Sequence, residues 1–114
     1  MLFRSVAVHT DRVLQDDGSF IETEQIIGVS RYITNPDQTT CEFSLVVADG
    51  YSGQGLGSRL MLSIMDVARG KGLAEIEGLV LANNDGMLRL MRSLGFRIQA
   101  FPEDADFKLC TKTL

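Results

Sequence analysis

A glycine-rich segment between an apolar strand and an amphipathic helix most constrains what this chain folds into. The segment reads Ser52-Gly53-Gln54-Gly55-Leu56-Gly57, and Ser58 follows it at the start of the helix. Glycines at alternate positions let the backbone approach a ligand with its N–H groups, and the helix N-terminus adds about half a positive charge. A phosphate or pyrophosphate suits such a site. The alternative is a tight strand-to-helix turn that binds no ligand.

Two common phosphate-binding patterns fit this segment poorly. A P-loop carries a lysine directly after its last glycine, whereas Gly57 is followed by Ser58 and then Arg59. The dinucleotide fingerprint, started at Gly53, would place its third glycine at Ser58. The strand before the segment also follows other strands and does not open a parallel sheet. Neither a P-loop nor a dinucleotide site is therefore expected.

The residues on either side predict an α+β domain with one mixed sheet. Before the glycines we expect short antiparallel strands at residues 6–8, 26–34 and 41–47, with a polar connection at 10–24. That connection contains Asp16-Asp17-Gly18 as a turn signal. After the glycines the pattern predicts a helix that begins near Leu56 and is stopped by Gly70-Lys71-Gly72. A strand at 74–81, a helix at 86–94 and strands at 96–101 and 106–113 follow.

Length, charge and cysteine content exclude several classes of function. A chain of 114 residues forms one domain, residues 1–114. A net charge of −4 lacks the basic footprint of nucleic-acid binding. No apolar run approaches the ~20 residues of a membrane span, and the start lacks a signal-peptide layout. Cys41 and Cys110 fit reduced thiols in the cytoplasm, and with one histidine they cannot fill a structural zinc site, so no metal is expected.

Several segments together resemble the GNAT N-acetyltransferases. The glycine-rich segment resembles their acyl-CoA pyrophosphate loop, Gln/Arg-x-x-Gly-x-Gly/Ala. Leu45-Val46-Val47 is similar to the splayed strand that receives the pantetheine arm. Asn84, with the helix after it and Leu94-Gly95-Phe96, is similar to the second cofactor segment. These segments follow the family's order from about Val6 to the C-terminus.

The resemblance implies a GNAT fold, a mixed and mostly antiparallel sheet with flanking helices that splays between the Cys41 strand and the Ala74 strand. It also implies acetyl-CoA as co-substrate, with the thioester carbonyl bound by an N–H near Val46 or Val47. Asn84 either holds this cofactor or only caps its helix. The residues implied in cofactor binding are Leu45, Val46, Val47, Ser52, Gly53, Gln54, Gly55, Leu56, Gly57, Ser58 and Asn84.

Three segments look closest to the bacterial protein-lysine acetyltransferases, whose GNAT module is often joined to an acyl-CoA-synthetase-like region. They are Ile27-Gly28-Val29-Ser30-Arg31-Tyr32, Cys41-Glu42-Phe43 and Met87-Leu88-Arg89-Leu90-Met91. The likeness implies acetyl transfer to a protein lysine by direct attack, with Glu42 as general base. The alternatives are a small-amine acetyltransferase and a non-catalytic acyl-CoA-binding module, and Glu42 is otherwise a solvated strand residue. Association with a synthetase-like domain, or self-association, is a further expectation.

Three departures from the family pattern stand out. Ser52 occupies the position of the Gln or Arg that begins the loop. Met91 stands where many members carry a tyrosine that protonates the leaving thiolate, which leaves the general acid unassigned. The chain also begins near the family's second strand, so we expect an N-terminally truncated domain without the first strand and first two helices.

Overall fold

The sheet and its two helices have the order that the sequence predicts. A computed structural model describes residues 2–48, 50–51 and 55–114. Within them the sheet order is β1-β2-β3-β4-β6-β5, and every neighbouring pair is antiparallel except β3 and β4, which are parallel. The elements are β1 (Leu2–Leu14), β2 (Phe20–Thr34), β3 (Thr40–Val47), α1 (Leu56–Gly70), β4 (Glu75–Leu81), α2 (Asp85–Ser93), β5 (Arg97–Ala100) and β6 (Phe107–Thr113).

The helices pack against one face of the sheet. The apolar stripe of α1 is buried there, and Ser30 Oγ on β2 donates a hydrogen bond of 2.9 Å to the carbonyl of Leu60. Buried residues of both helices join those of the central strands in one apolar core. Among the described residues nothing covers the opposite face, which exposes Ile33, Val46 and Leu79. The sheet therefore has a helix-covered face and an open face.

The first two strands are much longer than the sequence predicts. The predictions of a short strand at residues 6–8 and of a polar connection at 10–24 are wrong. The strands β1 and β2 pair from Leu2 opposite Ile33 to Leu14 opposite Phe20. The outer part of this hairpin is exposed on both faces, so its residues show no alternation of polar and apolar types. Cross-strand contacts hold it instead, such as the 3.5 Å pair between Arg12 Nε and Glu22 Oε1.

The parallel strands β3 and β4 separate after three paired positions, the last of which joins Glu42 to Glu77. The next residues along the two strands are Phe43 and Gly78. A Cβ on Gly78 would lie 2.5 Å from Phe43 Cε1, so the ring lies directly against the glycine backbone. Phe96 contacts the same ring edge-on, with 5.5 Å between ring centroids. The predicted splay is therefore present and begins at Phe43.

Candidate active site

The splay opens a narrow cleft that continues into a larger cavity. The cleft has a volume of about 210 Å³, and its walls come from both strands and from Phe107 of β6. The cavity has a volume of about 850 Å³ and lies against the N-terminal ends of α1 and α2. Leu45, Asn84 and Met87 line both. The two spaces therefore form one elongated site that runs from apolar strand walls to two helix ends.

Seven of the residues predicted to bind cofactor line this site: Leu45, Val46, Val47, Gly55, Gly57, Ser58 and Asn84. Leu56 is absent from the lining, and its Cδ2 atom packs near the backbone of Gly28 on β2. Ser52, Gly53 and Gln54 lie outside the described residues. The structure thus gathers the strand, the helix start and Asn84 around one cavity.

The N-terminus of α1 is open to the cavity. Gly55 is the N-cap residue at φ +78, a conformation that favours glycine, and no side chain caps the helix. No other heavy atom lies within 4 Å of the position of a Gly55 Cβ, and the first turn carries no acidic residue. The first N–H groups of a helix have no intrahelical acceptor, so those of α1 suit an anion.

Gly57 serves packing, a role that the sequence reasoning did not assign to it. A Cβ at this position would lie 2.9 Å from Leu90 Cδ2 on α2 and 3.6 Å from Leu45 Cδ2 on β3. A Cβ here would require the Leu90 side chain to shift, so glycine permits the close approach of α1, α2 and β3 as they stand. The glycine therefore brings the two helix ends onto the same wall of the cavity.

Asn84 caps α2, which is one of the two roles left open by the sequence. Its Oδ1 accepts a 3.1 Å hydrogen bond from the N–H of Met87. Its side-chain nitrogen has no hydrogen-bond partner in the described part of the chain, and the residue lines both cavities. The cap fixes the side chain at the junction of cleft and cavity, where the free amide group can donate to a ligand.

The backbone of β3 presents unpaired groups to the cleft. The N–H of Ala48 donates to the carbonyl of Ile27 on β2 at 2.8 Å, and the N–H of Ala74 donates to the carbonyl of Thr39 at 2.6 Å on the other edge. Because N–H directions alternate along a strand, the N–H of Val47 points to the cleft edge. That of Val46 points to β2. Beyond Phe43 no residue of β4 pairs with this edge.

Glu42 lies on the open face, at the closed end of the splay. It is exposed, stands between Ile33 and Glu77 across the sheet, and lines neither cavity. Burial raises the pKa of Glu77, and the charge of neighbouring Glu42 raises it further. Glu42 and Val46 are four positions apart on β3, a distance of roughly 13 Å along a strand. The carboxylate therefore borders the cleft without entering it.

The thiols and Met91 belong to the core. Burial, followed by the charge of Glu77, raises the pKa of Cys41 to about 11, which keeps this thiol protonated at neutral pH. Burial also raises the pKa of Cys110. Met91 is fully buried and lines neither cavity. None of these three side chains contributes a reactive group to the site.

The sequence reasoning missed Arg89, which lines the larger cavity. The spacing of residues on α2 is a signal in the sequence that could have identified it. Gly86, Arg89 and Leu90 are spaced three and four residues apart, so they share one helix face. All three line the cavity, which shows that this face of α2 forms one of its walls.

Within residues 2–48, 50–51 and 55–114, no group of three His, Cys, Asp or Glu residues is arranged to hold a metal ion. In the same part of the chain, neither helix is long and apolar enough to cross a membrane.

Comparisons with known proteins agree with this geometry. The acetyltransferase (GNAT) family matches residues 5–96. An acetyltransferase of Pseudomonas aeruginosa is 34% identical over 93 residues, which are 82% of this chain and 48% of that protein. The N-alpha-acetyltransferase RimI of Mycobacterium tuberculosis is 37% identical over 70 residues, which are 61% of this chain and 42% of that protein. The chain thus spans less than half the length of either relative.

Solved structures confirm the predicted GNAT fold. The structure of PaiA N-acetyltransferase from Thermoplasma acidophilum in complex with coenzyme A matches with a TM-score of 0.70 at 19% identity. The match covers 78% of this chain and 54% of that one.

The raised pKa of Glu77 predicts a pH-dependent gain in stability when its charge is removed. The folded state binds this proton more tightly than the unfolded state does, so ionised Glu77 destabilises the fold. Its stabilising contribution is present at low pH and is lost as pH rises through the folded pKa. We expect Glu77→Gln to raise the melting temperature at pH 7, with the gain disappearing below about pH 4.

The control is Glu103→Gln, which removes the same charge from an exposed loop. Melting curves of both variants across pH 4–8 make the comparison. Equal shifts for the two variants at pH 7 would contradict the raised pKa of Glu77.

Proposed function

Because the chain belongs to the GNAT acetyltransferase family, we propose that it is an N-acetyltransferase that binds acetyl-CoA between β3 and β4. The observation that carries this proposal is the single elongated site that joins an apolar cleft to two helix N-termini. A coenzyme whose diphosphate joins a slender pantetheine arm to a nucleotide fits such a shape, with the arm in the cleft and the diphosphate at the helix ends. We propose the whole of residues 1–114 as one acetyltransferase domain.

The diphosphate binds at the start of α1, at the helix N–H groups behind Gly55 and the loop of Ser52, Gly53 and Gln54. The pantetheine arm follows the unpaired edge of β3 past Leu45 and Asn84. Of the two residues considered for the thioester carbonyl, the alternation along β3 favours the N–H of Val47 over that of Val46. A donor aimed at the developing oxyanion stabilises the transition state.

Glu42 is the proposed general base. A lysine amine has a pKa near 10.4, so making it neutral at pH 7 costs about 4.6 kcal/mol, at 1.36 per pKa unit. The amine nitrogen attacks the thioester carbon, the carbon–sulfur bond breaks, and the sulfur leaves as the thiolate of CoA. The amine proton passes to Glu42 through a chain of several waters, because Val47 lies five positions from Glu42, roughly 16 Å along β3, which is farther than one water spans. No covalent enzyme intermediate forms.

The proposed acceptor is a protein lysine. The resemblance of the Cys41-Glu42-Phe43 region to protein-lysine acetyltransferases supports this choice, and among the described residues the Glu42 side chain is exposed. The adjacent carboxylate of Glu77 adds negative charge that attracts a cationic side chain. Free Cys41 and Cys110 support a cytoplasmic location. Association with a synthetase-like domain, or with a second copy, belongs to the same proposal.

Two alternatives are a small-amine acetyltransferase and a module that binds acyl-CoA without turnover. Assaying acetyl-CoA consumption with a lysine-rich peptide and with small primary amines separates all three. Coenzyme A binding without consumption in any assay identifies the non-catalytic module.

Ser58 offers a direct test of the phosphate position. It is the third residue of α1, where glutamate is favourable for a helix N-terminus, and its hydroxyl makes no hydrogen bond with the described residues. In Ser58→Glu the carboxylate occupies the phosphate position and repels the ligand. We expect CoA binding, measured by calorimetry, to weaken at least about tenfold.

The matched control is Ser58→Gln, which adds the same bulk without charge. It should bind CoA within a few-fold of the wild-type protein. If both substitutions weaken CoA binding equally, the helix start does not hold a phosphate.

The role of Glu42 is tested by Glu42→Gln. We expect kcat to fall by about 10²–10⁴, the usual contribution of acid–base catalysis, with KM for acetyl-CoA unchanged. The loss should shrink at high pH, where the acceptor amine is already neutral. Glu75→Gln removes a charge from the same strand pair and should leave kcat near the wild-type value. Wild-type turnover by Glu42→Gln at pH 7 would remove Glu42 from the mechanism.

A further inference from the structure

We propose that Arg89 binds the diphosphate of the coenzyme from the α2 side, opposite the N–H groups of α1. This inference rests on the proposed acetyl-CoA site. It adds a binding residue on an element separate from the glycine-rich segment and fixes how the anionic end of the ligand lies between the two helices.

The position of Arg89 follows from the contact between the helices. Gly57 of α1 packs closely against Leu90, the residue after Arg89, because a Cβ on Gly57 would lie only 2.9 Å from Leu90 Cδ2. Gly55, Ser58 and Arg89 consequently line the same cavity from two sides. The Arg89 side chain is exposed, so its guanidinium is free to turn toward a ligand at the α1 N-terminus.

Charge singles out Arg89. Among the described residues that line either cavity it is the sole ionisable side chain. It makes no ion pair or hydrogen bond with the described part of the chain, whereas Arg12 and Arg69 each pair with a carboxylate. A chain of net charge −4 thus places in this cavity one cation that has no partner among the described residues. The complementary ligand group is an anion.

The guanidinium also fits the chemistry of a diphosphate. Its planar set of N–H donors can bind two phosphate oxygens at once, which lysine cannot do. The chain carries Ser52 where the loop pattern of the resembling family has Gln or Arg. Arg89 supplies from α2 a long side-chain donor of the kind that serine replaces at this position.

The test compares CoA binding by the wild-type protein, Arg89→Ala and Arg92→Ala, measured by calorimetry at fixed ionic strength. Arg92 lies on the same helix, is exposed and lines neither cavity, so its substitution removes an equal charge away from the site. We expect Arg89→Ala to bind CoA roughly tenfold more weakly and Arg92→Ala to bind within twofold of wild type. Arg89→Lys should recover part of the loss, which also shows that the helix folds.

Dephospho-CoA identifies the phosphate that Arg89 contacts. It keeps the diphosphate and lacks the phosphate on the ribose, so the loss in Arg89→Ala should be as large as with CoA. Equal affinities of Arg89→Ala and Arg92→Ala for CoA would overturn the inference and leave the proposed function standing. A loss that disappears with dephospho-CoA would overturn the diphosphate assignment. A wild-type protein that does not bind CoA would overturn the proposed function itself.

Discussion

The contact of the Phe43 ring with the backbone of Gly78 is the constraint on which the site depends. Two parallel strands normally continue to exchange hydrogen bonds for their whole length, but here pairing ends at Glu42 and Glu77. The ring lies against Gly78, where a Cβ would overlap it, and Phe96 supports it from the core. The strands diverge beyond this point, and the cleft opens between an unpaired edge of β3 and the side chains of β4.

Charge is distributed so that the two ends of the site differ. At one end, the N-terminus of α1 and Arg89 make the cavity favourable for an anion. At the other end, Glu42 and Glu77 face each other on the open side of the sheet, where they favour a cation. In the proposed reaction, an anionic coenzyme and a cationic amine therefore approach from opposite ends. The apolar cleft lies between these two ends and leaves each proposed ligand a path to the edge of β3.

The sequence predicted the elements that bury an apolar face. It missed an exposed hairpin and a site residue that is positioned by a contact between distant parts of the chain. The α1 stripe and the strand at Cys41 follow helical and alternating periods, so both were predicted nearly to their observed ends. The long β1–β2 hairpin was missed because its outer part contacts no core. Arg89 was missed because the approach of α2 to α1 depends on Gly57 meeting Leu90, a contact between distant residues.

The central claim is that the cleft between β3 and β4 and the adjoining helix ends form the coenzyme site. Backbone amide chemical shifts, followed by NMR during titration with CoA, test it most directly. We expect the largest changes at Val47, at residues 55–58 and at Asn84 through Leu90. Changes confined to the β1–β2 hairpin or to the open face, or no changes at saturating CoA, would contradict the claim.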